Sequence, residues 1–180
     1  EILDSIFRTE SLTDIEYKYA RAEIKYGLYD RFRHYLEVVK IPLEDSRYSF
    51  FDFLDITDNE SALLSEKYNS CVEWALLRKY LLDNKLPFSS VKPDSAFFFQ
   101  QYFYGKKILT QNVADVFLTR MVSRILDQGI TGSDLSFEMH ANDCNSDTLR
   151  EIIKSIYLLN KYVSLRGDVV DYSFLNERKG

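Results

Sequence analysis

Histidine and cysteine are scarce in this chain, with two of each in 180 residues. His34 and His140 lie far apart in sequence, so a histidine-based acid–base apparatus has little to draw on. Cys71 and Cys144 follow no metal-ligand spacing. A reducing compartment is the default expectation, cytoplasmic or, in a eukaryote, nuclear. The glycines form no phosphate-cradling loop, and no serine sits in a nucleophile elbow. No apolar run is long enough to span a bilayer, so no membrane contact is expected. Basic charge is not in excess either. The formal net charge is −5. Residues 1–105 carry 13 basic and 18 acidic groups, and residues 106–180 carry 10 of each. The neutral C-terminal part is less hostile to DNA than the whole chain, yet it lacks the basic patch that nucleic-acid binding normally shows.

What the chain does hold is apolar and aromatic: 46% hydrophobic residues, and 15% aromatic, nearly all Tyr and Phe. A helix is expected from Thr13, whose hydroxyl caps the first turn, to Val39, before Pro42. Ile15, Tyr19, Ala22, Tyr26 and Tyr29 form one apolar stripe on it. Tyr17, Ala20, Ile24, Leu28, Phe32 and Tyr35 form a second. Two stripes suggest burial on two sides, in the middle of a bundle or along a homodimer seam. Gly27 marks a break between two helices. Ile41 to Asn59 reads as loop, with Ser49 to Ile56 a short helix or strand. One helix is expected from Glu60 to Asn84, capped by Asn59. Pro87 to Pro93 reads as linker. Asp94 or Ser95 caps the aromatic segment that follows, which Gly105 ends. This divides the chain into an N-terminal helical domain (1–86), a linker with an aromatic packing helix (87–105), and a C-terminal domain (106–180).

The C-terminal part has the most pattern. A long amphipathic helix, Asn112 to Gln128, buries Val113, Val116, Phe117, Met121, Val122 and Ile125 and stops at Gly129. A short helix follows, capped by Ser133, with Leu135, Phe137 and Met139 inward; a strand over the same residues is the alternative. Ser146 then caps a helix whose inward side chains are Leu149, Ile152, Ile153, Ile156 and Leu159. Arg150, Glu151, Lys154 and Tyr157 face outward. After Asn160 the period alternates: Val163 and Leu165 lead into an Arg166-Gly167-Asp168 turn, and Val170, Tyr172 and Phe174 leave it, which is a hairpin signal.

The run NSDTLREIIKSIYLLNKYVSLRGDVVDYSF resembles the recognition helix and wing of the winged helix-turn-helix superfamily, over about residues 110–176. The resemblance implies a mainly α fold in which an N-terminal helical bundle precedes a winged helix with a short β-hairpin. It also implies groove recognition of double-stranded DNA by a non-enzymatic regulatory, replication or mobile-element accessory protein. Ser146, Thr148, Arg150 and Lys154 would reach base edges, Arg150 as a bidentate donor to guanine, with Lys161 and Arg166 at the phosphate backbone. Asp147 and Glu151 lie on the same side and would repel phosphate. Winged helices also bind proteins, as in PCI-type scaffold subunits, where a helical array precedes the wing. An acidic inhibitor or immunity protein is a third class that fits the charge.

Other groupings have plainer readings. Glu138, His140, Asp143 and Cys144 are each metal-ligand types, but their spacing matches no common zinc pattern; a polar connector is expected there, with no metal and no cofactor. Phe97, Phe98, Phe99, Tyr102, Phe103 and Tyr104 could stack single-stranded bases, but consecutive aromatics cannot share one groove, so a packing hub is expected. Arg166-Gly167-Asp168 is read as wing tip rather than an integrin-type tripeptide.

Overall fold

The computed structural model describes residues 12–92, 94–127 and 133–166; of Ser95 and residues 163–166 it describes the backbone alone. Within them the chain forms α1 (Asp14–Val38), a 3₁₀ helix (Ser46–Phe53), α2 (Asn59–Leu64), α3 (Glu66–Asn84), a short 3₁₀ turn (Phe88–Ser90), α4 (Ser95–Ile108), α5 (Gln111–Asp127), α6 (Ser133–Asp143) and α7 (Asp147–Arg166).

Local signals start most of these helices. Thr13 and Glu16 make a reciprocal capping box, with each backbone N–H bonded to the other's side chain. Asp94 accepts from the Phe97 N–H at 2.9 Å. Ser146 accepts from the Leu149 N–H at 3.4 Å. Gly27 does not break α1, which runs unbroken past it. Gly105 does not end α4 either. Its missing side chain serves packing instead: a Cβ there would overlap the Phe117 ring of α5.

The expected Glu60–Asn84 helix is two helices. Ser65 takes an extended conformation between them and caps α3, accepting from the Tyr68 N–H at 3.1 Å. Its hydroxyl donates to Glu23 of α1 at 2.7 Å. Asp58, not Asn59, caps α2. Asn59 acts at long range instead, accepting from the Val113 N–H at the start of α5 at 3.3 Å.

α5 is the axis of the molecule and packs against α2, α3, α4, α6 and α7. Val113, Phe117, Met121, Val122 and Ile125 are buried, as their spacing indicates, and so are Leu118 and Leu126 on its other sides. The hydrophobic core is one cluster reaching from Ala22 of α1 to Ile153 of α7.

No strand occurs among the described residues, and the expected β-hairpin wing is not supported. Val163 and Leu165, expected in its first strand, lie inside α7. No glycine or proline interrupts the chain before Gly167, so a helix already nucleated gains one hydrogen bond per added residue. A β-branched residue costs it only tenths of a kcal/mol, roughly. Gly129, Pro93 and the expected second strand (Val170, Tyr172, Phe174) lie outside the described residues.

Candidate docking face and the C-terminal helix pair

Tyr26, Ala22 and Leu36 turn α1 toward the core, where Tyr26 donates to Asp58 at 2.8 Å and packs edge-on against Tyr68. The later part of the second apolar stripe points the other way, while its Tyr17 and Ala20 are half-buried and Ile15 and Tyr19 of the first stripe are exposed. Ile24, Leu28, Phe32, Tyr35 and Val39, at steps of three and four, are 44–63% exposed. At ~1.5 Å per residue the row is about 22 Å long. Its aromatic half is braced: Phe32 stacks on Tyr35 at 6.4 Å and rests on Phe50 of the 3₁₀ helix at 5.0 Å.

Charge along α1 is sorted. Its acids are engaged within the fold: Asp14 by Lys18, Glu16 by Thr13, Glu23 by Ser65, Asp30 and Glu37 by Arg33. Arg21, Lys25 and Arg31 border the apolar row and are exposed. Lys25 donates to the Tyr26 hydroxyl at 2.9 Å. Neither Arg21 nor Arg31 has a hydrogen bond or ion pair among the described residues.

Four of the DNA-reading residues expected on the last helix have partners within the fold. Arg150 donates to the Cys144 carbonyl at 2.6 Å and pairs with Asp147, so it caps the end of α6. Ser146 caps α7. Lys154 pairs with Glu151 at 3.1 Å. Lys161 donates to the Tyr157 hydroxyl at 3.0 Å and lies over its ring. Thr148 is exposed. Arg166 is the last residue of α7, and its side chain is outside the described set.

The inward face of α7 is also rotated from expectation. Ile153 is fully buried and Ile156 half-buried, but Ile152 and Leu159 are exposed. Tyr157, expected outward, stacks on Phe137 at 4.3 Å. α6 faces inward with Ser136 and His140, while Leu135 is exposed. The polar line of α6 meets a matching line on α5. Thr119 donates its hydroxyl hydrogen to the Asp115 carbonyl at 2.6 Å, so His140 Nε2, 2.8 Å away, is the donor to Thr119 Oγ1. Burial holds the His140 pKa below its ordinary value. Asp143 accepts from Tyr102 and Lys106, and Asp115 accepts from the Asn145 N–H. Glu138, His140, Asp143 and Cys144 do not converge, and no trio of such residues does among the described residues.

Comparison with protein-family models, curated proteins and solved structures finds no match for this chain.

Two features of the described structure escaped sequence reasoning. Arg78, buried in α3, donates to the Leu43 and Asp45 carbonyls at 2.5 and 3.1 Å and so clamps the segment after α1. The amide of Gln101, buried on α4, has no partner for Nε2 among the described residues and lies beside a cavity of about 200 Å³ between α3, α4 and α5. The outward row of α1 was visible as a stripe; its basic border was the available sign that it is not core.

Proposed function

We propose that this protein is a non-enzymatic helical interaction module whose ligand is another protein, taken along the outer face of α1. The observation that carries the reading is the unbroken row of five large apolar side chains that the fold leaves in solvent. Single exposed apolar residues are ordinary, but a contiguous row of this length marks an interaction surface. A convex helical face suits a partner helix that contributes its own stripe. Free, buried thiols at Cys71 and Cys144 suit a reducing compartment such as the cytoplasm. No helix among the described residues is long and apolar enough to cross a membrane. Duplex DNA is the less favoured ligand, because Arg150, Lys154 and Lys161 already have intramolecular partners.

The test uses labelled amphipathic peptides of about 15–18 residues, long enough to match the row, with a leucine stripe. The wild-type protein should bind them. The double variant Leu28→Glu/Phe32→Glu should bind at least ~10-fold more weakly while its circular dichroism shows the helical fold retained. Undiminished binding by that variant would remove the basis of the reading. Mixed duplex DNA at two salt concentrations is the competing arm, since a phosphate-driven contact weakens steeply with salt.

A further inference from the structure

We infer that the partner segment is an acidic amphipathic helix; the inference rests on the reading of α1 as a docking face and adds the chemistry of what docks. The apolar row sets where a helix lies, and the residues flanking such a seam select the partner. Here the border is basic: Arg21 stands at the head of the row, Lys25 on one side of it and Arg31 on the other. Lys25 is partly balanced by Asp58, to which the Tyr26 hydroxyl links it, whereas Arg21 and Arg31 have no hydrogen bond or ion pair among the described residues and are the cations left for a partner. A helix presenting Glu or Asp on both sides of a leucine stripe would gain Coulombic attraction at contact distance and would desolvate no unpaired base.

The alternatives meet this border badly. A second copy laid against the same face brings Arg21, Lys25 and Arg31 of one chain against those of the other, with no acid between them. An anionic bilayer is attracted by clusters of about four to eight basic residues, more than this face offers. It also meets the field of a chain whose formal net charge is −5. A partner helix meets chiefly the border, because screening at ~0.15 M salt confines the interaction to about 8 Å.

The experiment compares two peptides with one leucine stripe, one flanked by Glu and the other by Lys, against the full chain. The Glu-flanked peptide should bind at least ~10-fold more tightly at low salt, and the gap should close near ~1 M salt, where the Debye length is about 3 Å. Arg21→Glu/Arg31→Glu should invert the preference. Both substitutions are at exposed side chains, and unchanged circular dichroism checks that the fold persists. Equal binding of the two peptides, abolished by Leu28→Glu/Phe32→Glu, would overturn the acidic assignment and leave the docking face standing. Two further arms name other occupants: sedimentation showing a dimer that the Leu28→Glu/Phe32→Glu variant dissolves, or flotation with vesicles of phosphatidylcholine and phosphatidylserine without peptide binding. Either would also overturn it. No binding of any probe would take both readings down.

Discussion

Gly27 and Gly105 show how little a residue's identity says without its surroundings. Both sit inside helices, and both read as breaks. A Cβ at Gly27 meets nothing within 4 Å. Gly27→Ala should therefore stabilise the protein by about 0.5–1 kcal/mol, through the lower backbone entropy of the unfolded chain. At Gly105 the same change pushes α4 away from Phe117 and should cost about 1–3 kcal/mol by overpacking. Urea denaturation of the two variants should move the midpoint in opposite directions, and a shared sign would refute the packing role given to Gly105. His140 supplies a pH dependence. Burial lowers its pKa, so the folded state binds the proton less well than the unfolded chain does. Its contribution to stability is complete above the unfolded value of about 6.5 and is lost as pH falls below that toward the folded value. His140→Gln keeps a donor for Thr119 and cannot titrate. Between about pH 7 and 5 the wild-type protein should lose stability relative to this variant; parallel curves would show that His140 is not the titrating group.

The helices are fastened to one another at their ends. Asn59 caps α5 from the start of α2, Arg150 closes the end of α6, and Asn160 donates to the Leu126 carbonyl of α5 at 2.9 Å. Arg150→Ala should cost about 1–3 kcal/mol, because the Cys144 carbonyl loses its charged donor. Asn59→Ala should cost about 0.5–2 kcal/mol as a lost cap. A change smaller than ~0.5 kcal/mol, the range of ordinary surface substitutions, would show that these bonds do not act as caps. This pattern explains what could be read in advance. Thr13, Asp94 and Ser146 cap their own helices within three residues, and the α5 core face repeats along one helix, so all are written locally. Ser65 is a local cap too, for the Tyr68 N–H, but it lies inside a continuous helical pattern, and its second partner is Glu23, 42 positions earlier. The α7 face departs from its spacing because Ile152, Ile153 and Leu159 are equally apolar, and only the position of α5 and α6 decides which is buried. The alternation after Asn160 does not overrule an established helix as far as Arg166, because two apolar residues in it cost the helix little. On α1 the spacing shows two apolar stripes, but each divides between core and solvent along its length, and the contacts that decide this, Tyr26 with Asp58 and Tyr68, come from far along the chain.

At the scale of the molecule, the position of α5 governs how the protein unfolds. α2 and α3 pack on it from one end of the chain, α6 and α7 from the other, and α4 joins them through the Gly105–Phe117 contact. Glu73 of α3 is shared by Arg120 and Arg124 of α5, which adds a polar tie across the same boundary. The buried side chains form one cluster from Ala22 to Ile153, so removing a contact at one end should be felt at the other. Trp74, the single tryptophan, is half-buried on α3 beside Phe88 and beneath Arg33, and reports on the N-terminal part. Ile153 is fully buried on α7, at the opposite end of the cluster. Ile153→Ala should cost about 2–5 kcal/mol, as large-to-small core substitutions do. If the helices unfold together, that loss lowers the midpoint seen by Trp74 fluorescence as much as the one seen by far-ultraviolet circular dichroism. If instead the part before α4 folds independently of the part after it, Trp74 fluorescence keeps its midpoint while the dichroism separates into two steps. Coincident shifts would show that a partner gripping α1 acts on a body whose stability is shared through to α7.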